Sequence, residues 1–521
     1  QTLAAFSGFR HEESVRRFRE LDARAVRLAQ AEVVRRLVER IPDLHAPGEE
    51  MAVLRRQIQL QRNHLPPRRL FSRMPTVLKR VKPVVLMSPQ SVARFLDPAV
   101  DAFDVVIFDE ASQIPPWDAV GAIARGRQAV IVGDSKQLPP TSFFERAEDG
   151  EEGTFDDESV EEMESILDEA VASNLPQLSL RWHYRSRHES LITFSNRHYY
   201  ENRLHTFPSP DARGAGVGVE LRTVPAGTYD RGGSRTNRVE AELLVAVLAR
   251  LLSLPDDQRP SVGVVTFSMA QQRLVQDLTD RLRQEQPELE RFFLEGVGEH
   301  VFIKNLENVQ GDERDVMLFS IGYGADRNGK LTMSFGPVNR KGGERRLNVA
   351  ITRARLRLLV FSSLDPDQID LNRTSALGAR HLRAFLRFAR DGVSALDAES
   401  LAEAVARFES PFEEQVHQAL TGAGLTVDTQ VGCSGYRVDL AVVDPERPGR
   451  YLLGIECDGA TYHGSRSARE RDRLRQSVLE SLGWNIVRVW STDWWFDREA
   501  QARRLLEAVE AARRAPRREA M

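Results

Sequence analysis

Hydrophobic positions in the first part of the chain recur at helical spacing. Between residues 10 and 62 the chain is rich in Arg, Glu, Leu and Ala. Its apolar residues fall three to five positions apart, which predicts long amphipathic helices ending before Pro66. The apolar positions that set this spacing are Val15, Phe18, Leu21, Ala25, Leu28 and Val33.

Further along, short apolar runs rich in β-branched residues predict buried parallel strands at 84–87, 105–108, 128–132, 262–265, 316–320 and 358–362. Helical segments such as 269–283 alternate with these runs, as in doubly wound α/β folds. From about residue 408 the pattern changes. A helix begins near Phe412, and strands at 436–443 and 451–457 flank a Pro/Gly-rich link, which predicts a hairpin.

Composition narrows the class of protein. The 521 residues, of which 41% are hydrophobic and 28% charged, indicate a globular chain of three or four domains. Collagen-like, low-complexity and wholly disordered proteins are excluded. No apolar run is long enough to span a bilayer, and the first residues lack a signal peptide, so no membrane is expected as a partner. Only two cysteines are present, which favours a reducing cytoplasm.

Charge is uneven along the chain. The net charge of −4 neither indicates nor excludes nucleic acid, because a local groove can be basic in a near-neutral protein. The stretch 145–169 is strongly acidic, which predicts a surface insertion; a mimic of nucleic acid is the alternative. The sequence pattern of residues 499–514 predicts a helical, basic tail.

Two adjacent carboxylates follow the strand predicted at 105–108. Asp109 and Glu110 lie where a strand of an α/β sheet ends, a position suited to nucleotide hydrolysis. One carboxylate can hold Mg²⁺ and the other can polarise the attacking water. Gln137 follows the next strand, where it could sense a γ-phosphate.

Five segments in order resemble motifs of superfamily 1 helicases of the nonsense-mediated-decay and Okazaki-fragment-processing type. They are DEAS at 109–112, GDSKQLPP at 133–140, WHYRS at 182–186, NVQGDE at 308–313 and RLNVAITRAR at 346–355. The resemblance implies two RecA-like lobes, each a doubly wound parallel sheet, and use of ATP.

By the same resemblance, Asp109 coordinates Mg²⁺ and Glu110 is the general base. Gln137, Arg185 and Arg353 contact the γ-phosphate, where an arginine stabilises transition-state charge. Glu313 contacts the ribose. The hydroxyl of Thr266, with the backbone around it, would hold nucleic-acid phosphates.

The family's phosphate loop, GxxxxGK[ST], is absent between residues 1 and 109. This loop neutralises the β- and γ-phosphates. Since the downstream motifs are intact and residue 1 is not Met, we expect further domains of the same protein upstream, an incomplete first lobe and poor ATP hydrolysis by this chain alone. A degenerate ATPase is the alternative.

A second group of carboxylates lies in the C-terminal unit. Glu456 and Asp458 are two residues apart in a predicted strand, so they share one face. Asp439 can meet them from the neighbouring strand of the hairpin. Three converging carboxylates would bind a hard cation, Mg²⁺ or Mn²⁺, that assists phosphodiester cleavage.

This unit resembles the PD-(D/E)xK nuclease fold, in the branch of very-short-patch repair endonucleases. The supporting segments are RVDLAV at 437–442, IECDGATYH at 455–463, RDRLRQ at 471–476 and LGWNIVRVWSTDWW at 482–495. The resemblance implies Asp439 and Glu456 as metal ligands joined by Asp458, with Glu414, or less strongly Glu413, completing the site. Asp458 stands where the broader fold has a lysine.

Other residues near this site have two interpretations each. His463 matches an active-site histidine of the repair enzymes and could assist proton transfer, or it could be structural. Cys457 is expected to be a buried apolar residue. Arg469, Arg473 and Arg475 lie on a predicted basic helix face, which could contact the DNA backbone or simply face solvent.

These observations predict a chain of the α/β class in six segments. They are a helical insertion (1–75), a partial first RecA-like lobe (76–175), a second lobe (176–365), a connector (366–407), a restriction-endonuclease-like domain (408–500) and a basic tail (501–521). The predicted activity is a Mg²⁺-dependent DNA endonuclease joined to an ATP-dependent helicase, in DNA repair, restriction or phage defence. A non-catalytic DNA-end-binding module and an RNA-directed helicase are the alternatives.

Overall fold

The structure is a computed structural model that describes residues 7–98, 103–140, 164–211, 216–294, 296, 298–397, 408, 410–433, 436–447, 449–458, 469 and 473–514. The chain forms two compact units. One comprises Arg16–Leu178, and the other comprises Gln1–Val15 with Ser179–Met521.

The unit Arg16–Leu178 combines helices with a small parallel sheet. Strands β1 (Phe103–Phe108) and β2 (Gly126–Ile131) pair in parallel. The long helix Gly8–Arg40 begins in the other unit and continues into this one. The remaining helices are Glu49–Gln59, Pro67–Arg73, Pro75–Val81, Pro89–Phe95, Pro116–Ile123 and Ile166–Ala172, with a 3₁₀ turn at Ala111–Gln113.

The predicted strand at 84–87 is wrong. The segment has no regular structure, and Val84 and Leu86 are 76% and 93% exposed. A strand needs a neighbour to satisfy its backbone hydrogen bonds, and within the described part of this unit the sheet consists of β1 and β2. The apolar pattern alone was therefore not sufficient to predict a strand at 84–87.

A five-stranded parallel sheet forms the centre of the second lobe. Its strands are β3 (Gly218–Thr223), β4 (Val262–Thr266), β5 (Phe302–Asn305), β6 (Arg314–Ser320) and β7 (Ala354–Ser362), in the order β3-β7-β6-β4-β5. The helices are Ser190–Tyr199, Arg238–Leu252, Met269–Glu285, Gly343–Ile351, Leu377–Asp391 and Ser394–Asp397. The 3₁₀ helices are Pro287–Phe292, Gly336–Asn339, Pro366–Gln368 and Leu371–Arg373. The central strands are almost wholly buried, which explains their continuous apolar runs.

One buried carboxylate ties a helix of this lobe to the end of its sheet. Glu240, on the helix Arg238–Leu252, accepts hydrogen bonds from Ser320 Oγ and the Gly322 N–H at 2.7 Å and from the Ser363 N–H at 3.2 Å. Burial raises the pKa of Glu240 to about 7, against these donors, which favour the ionised form.

Glu240→Ala is expected to lower the free energy of unfolding by about 3 kcal/mol, because several buried donors lose their acceptor. The matched control is Glu242→Ala, two residues along the same helix and exposed, with an expected change within about 0.5 kcal/mol. Urea unfolding of both variants measures the difference; equal midpoints would contradict the bracing role of Glu240.

The C-terminal domain contains a four-stranded mixed sheet. Its strands are β8 (Val427–Val431), β9 (Val438–Val443), β10 (Tyr451–Asp458) and β11 (Ile486–Trp490), in the order β11-β10-β9-β8. β8, β9 and β10 pair antiparallel, and β10 pairs with β11 in parallel. The helices are Pro411–Gly422, Arg475–Ser481, Ser491–Phe496 and Arg498–Arg514. The predicted α/β class and the β9–β10 hairpin are confirmed.

Among the described residues, none of the helices combines the length and the apolar character that crossing a membrane requires.

Candidate functional site

A row of polar side chains crosses the C-terminal sheet. The β9–β10 register pairs Leu440 with Ile455, so its next step places Asp439 opposite Glu456. Glu456 pairs with Arg488 of β11. Because directly opposed residues share a face of the sheet, the hairpin brings the two predicted metal ligands together.

Asp439 lies at the centre of a cluster of negative charge. Its Oδ2 accepts a hydrogen bond from the Cys457 N–H at 2.7 Å. Burial, followed by the charges of Glu456, Glu413 and Asp458, raises the pKa of Asp439 to about 8, although the Cys457 N–H opposes this shift. Four carboxyl groups therefore act on one another here.

Glu456 is held by protein donors. The Tyr436 hydroxyl donates to Glu456 Oε1 at 2.5 Å. Burial raises the pKa of Glu456, and the Tyr436 hydroxyl and the charges of Arg475 and Arg488 oppose the rise. The opposing groups keep a negative charge possible at this half-buried position.

Asp458 lies at the edge of the same cluster, with its side chain 16% exposed. Its Oδ2 is 3.5 Å from Arg488 Nε, an ion pair in which the arginine is 12% exposed. Arg488 thus faces Glu456 and contacts Asp458, and it supplies positive charge to an otherwise acidic site.

The helix Pro411–Gly422 brings Glu413, not Glu414, to this cluster. Glu413 is 5% exposed and accepts hydrogen bonds from Ser410 Oγ at 2.8 Å and Gln430 Nε2 at 3.0 Å. Glu414 is exposed and accepts from Gln418 Nε2, one turn along the helix. The preference for Glu414 as the fourth acid is corrected because the helix turns that side chain to solvent.

The donor set suits a hard divalent cation by its chemistry, because buried carboxylates crowd one another and a cation relieves their repulsion. In the arrangement seen, however, Asp439 and Glu456 use oxygens on the Cys457 N–H and the Tyr436 hydroxyl. Across the described ranges, no group of three or more His, Cys, Asp or Glu residues is arranged to hold a metal ion.

The remaining predicted residues of this domain differ in their burial and in their distance from the acidic cluster. His463 lies outside the described residues. Arg469 is exposed, and Arg473 is partly buried. The Arg475 guanidinium lies over the Tyr436 ring, 4.2 Å from its centroid, so it faces the acidic cluster. Cys457 is buried, as expected.

In the unit Arg16–Leu178, Asp109 and Glu110 are exposed directly after β1. Glu110 has left-handed backbone geometry, with φ of 51° and ψ of 39°, which is costly for a residue with a side chain. Its N–H donates to Asp109 Oδ1 at 3.0 Å. Gln137 Nε2 donates to Asp134 Oδ2 at 3.2 Å. The strained turn presents both carboxylates at the end of the strand.

In the other unit, Arg185 Nε forms an ion pair with Glu313 at 2.7 Å, and both side chains are partly exposed. Arg353 is 3% exposed and donates from Nε to the Val349 carbonyl at 2.7 Å. The structure thus joins two of the predicted nucleotide contacts, Arg185 and Glu313, and turns Arg353 towards its own helix.

Thr266 is wholly buried, and its hydroxyl donates to the Ser268 carbonyl at 3.0 Å. Its predicted role in holding nucleic-acid phosphates is corrected, because the strand end turns this side chain into the core.

Sequence reasoning missed Arg488 and Tyr436 at the acidic cluster, and it also missed Glu307, which forms a 2.8 Å ion pair with the buried Arg346. Arg488 could have been found from the apolar positions around it at 486–490, which form the strand β11 next to the strand that carries the acids. Nothing in the local pattern around Tyr436 points to its contact with Glu456.

Comparisons with known families match both the segments that carry the helicase-like motifs and the segment that carries the acidic cluster. Two family models described as AAA domain match residues 77–145 and 162–365, and the endonuclease-like family REase_MTES_1575 matches residues 412–509. The chain thus joins a helicase-like region to an endonuclease-like domain. The helicase region carries the motif residues of both units, and the endonuclease-like domain carries the acidic cluster.

Curated relatives of this helicase–nuclease fusion are themselves described as helicases. The chain is 31% identical over 81% of its length to "Uncharacterized ATP-dependent helicase MG140 homolog" of Mycoplasma pneumoniae, and 30% identical over 80% to its Mycoplasma genitalium counterpart. It spans 38% of the length of each relative.

A solved arterivirus helicase, nonstructural protein 10 in complex with DNA, aligns with 52% of this chain and 42% of its own at 13% identity and a TM-score of 0.23. At that score the alignment adds nothing to the fold seen directly in the sheets.

Proposed function

We propose that this helicase–nuclease fusion cuts phosphodiester bonds of DNA in a reaction that depends on a divalent cation. The observation that carries the proposal is the cluster of Asp439, Glu456, Asp458 and Glu413 around β9 and β10, in which burial and then the neighbouring carboxylates raise the pKa of Asp439. Buried like charges cost stability and are retained where a site needs them.

The residues of the cluster would have different roles in the reaction. Asp439 and Glu456 would hold Mg²⁺ or Mn²⁺, with Asp458 oriented by Arg488 beside them. When bound, such a cation supplies Lewis acidity and a nucleophilic water at neutral pH. The exposed Arg469 and the partly buried Arg473 could contact the phosphate backbone, which would make DNA binding fall with salt.

The helicase region would supply ATP-driven movement along the nucleic acid. Its exposed pair Asp109 and Glu110 and its Arg185–Glu313 pair carry the matching motifs, and ATP use is what the relatives' descriptions state of those proteins. We propose that such movement delivers DNA to the acidic cluster, in DNA repair, restriction or defence against phage.

A cleavage assay with the purified chain tests the proposed activity. Supercoiled plasmid, linear duplex, single-stranded DNA and RNA of the same sequence are incubated with Mg²⁺, Mn²⁺ or EDTA. We expect cleavage of DNA with either cation and none with EDTA. Cleavage of RNA in preference to DNA would overturn the choice of substrate, and DNA cleavage in EDTA would overturn the metal dependence.

A non-catalytic DNA-end-binding module is the second candidate. One observation favours it: the acids are engaged by protein donors rather than arranged around a cation in the described structure. Binding of duplex ends without cutting under every condition of the same assay would support this candidate.

A further inference from the structure

The helicase region and the endonuclease-like domain share one aromatic core within the larger unit. Phe207 is buried together with Tyr436 and Trp484. The Trp484 indole N–H donates to the Pro208 carbonyl at 2.8 Å, and the Tyr451 N–H donates to the Pro210 carbonyl at 2.9 Å. The segment 207–211 is thus hydrogen-bonded to the sheet that carries the acids.

Two side chains pack against the ring of Tyr436 in this core. Its ring centroid is 5.4 Å from that of Phe207, and Phe207 stacks on Trp182 at 5.0 Å. The Arg475 guanidinium also packs over the Tyr436 ring, 4.2 Å from its centroid. Trp182 precedes Arg185, the predicted γ-phosphate contact, by three residues. A chain of packed rings therefore runs from a helicase motif to Tyr436.

The Tyr436 hydroxyl reaches the acidic cluster from this packed ring. It donates to Glu456 Oε1 at 2.5 Å, within the range of strong hydrogen bonds to a carboxylate. Tyr436 is 4% exposed, so water cannot easily replace the hydroxyl. A bond to one oxygen restrains the position of Oε1, and the carboxylate still has the lone pairs of Oε2 to offer a cation.

We propose that Tyr436 is a positioning residue for Glu456 and that Phe207 of the helicase region holds it in place. The inference rests on the proposed nuclease function. Hydrogen bonds that orient metal-binding carboxylates contribute to metal affinity. Because Phe207 lies in the helicase region, the geometry of an acid in one domain depends on a side chain of the other.

Tyr436→Phe in the full chain tests this role, because it removes the hydroxyl and keeps the ring. The matched control is Tyr451→Phe, which removes the hydroxyl that donates to Asp428 at 2.8 Å on the same sheet. Mn²⁺ binding without DNA is measured by calorimetry, and the Mn²⁺ concentration for half-maximal cleavage is measured separately. Tyr436→Phe should weaken both about tenfold, and Tyr451→Phe should change neither.

Phe207→Leu and Phe207→Met test the contribution of the helicase region. Circular dichroism first establishes that each variant is folded. Either folded variant should weaken Mn²⁺ binding in the same direction as Tyr436→Phe, although Phe207 does not touch the acids. Unchanged binding in the folded Phe207 variants would overturn the role of the helicase region.

Failure of the inference is distinguishable from failure of the proposed function. If the wild type binds Mn²⁺ and cuts DNA while Tyr436→Phe behaves identically, the positioning role is overturned and the nuclease stands. If the wild type neither binds Mn²⁺ nor cuts, the proposed function is overturned and the inference with it.

Discussion

Replacing Asp439 with asparagine is expected to lower the rate of DNA cleavage about a thousandfold, which corresponds to roughly 4 kcal/mol of transition-state stabilisation. Asparagine keeps the shape of the side chain and an oxygen that can accept from the Cys457 N–H. It removes the negative charge that Asp439 would carry when a cation is bound, because an amide cannot be deprotonated to an anion. The loss would therefore come from charge rather than from a change of fold.

The same substitution should leave the protein at least as stable near neutral pH. The pKa of Asp439 is raised from 3.8 to about 8, so the folded state holds a proton that the unfolded state releases between these values. The contribution of Asp439 to the free energy of unfolding is full below about pH 4 and is lost as pH rises towards 8. The neutral amide escapes this loss.

Two measurements check the Asp439 prediction. Single-turnover cleavage gives the rate, and urea unfolding from pH 5 to 8 gives the stability, with Asp428→Asn on β8 as the control. Cleavage at the wild-type rate by Asp439→Asn would remove this residue from the reaction. A variant that is inactive but also strongly destabilised at pH 8 would instead indicate a structural role for the carboxylate.

The centre of the acidic cluster could be predicted from the sequence because two strong patterns fix it. The apolar runs of β9 and β10 and the short Pro/Gly-rich link between them define a hairpin, and the length of the link limits its register. That register sets Asp439 opposite Glu456. The strands β4, β6 and β7 were equally predictable, since each contains a continuous apolar run that is buried in its sheet.

Other parts of the fold could not be predicted from the sequence, because they depend on contacts between residues that are distant in the chain. β3 and β5 mix polar with apolar residues, so their strand conformation comes from pairing with β7 and β4. The opposite holds for the apolar segment 84–87. Its sequence resembles that of a strand, but it has no partner strand in the described structure. The contact of Tyr436 with Phe207 joins residues more than two hundred positions apart.

The fourth acid was within reach of sequence reasoning. Phe412, Val416 and Leu420 recur every four residues and mark the buried face of the helix Pro411–Gly422. At 3.6 residues per turn, Glu413 lies about 60° from the centre of that stripe and Glu414 about 160° away. Helical geometry therefore places Glu413 next to the sheet and Glu414 in solvent, as the structure has them.

Substitution of Glu413, compared with its neighbour Glu414, is expected to have the second large effect on the rate of cleavage. Glu413→Gln is expected to lower cleavage about a hundredfold, as for other groups that support a metal site, because the negative charge beside Asp439 is lost while the bond from Gln430 can be kept. Glu414→Gln, one residue along and exposed, should cut within about twofold of the wild type. Single-turnover rates at saturating Mg²⁺ make the comparison.

The Glu413 and Glu414 variants also distinguish a role of Glu413 in the cleavage reaction from a role in capping its helix. Glu413 accepts from Ser410 at the start of its helix, so Glu413→Gln should cost about 1 kcal/mol of stability at most. That cost is too small to unfold the domain and account for a hundredfold loss of rate. If Glu414→Gln were the inactive variant, the helix would bind the cluster by its other face, and the site would have to be rebuilt around Glu414. If both variants cut normally, the cluster would consist of the sheet acids alone, and Glu413 would serve only to connect the helix to Gln430.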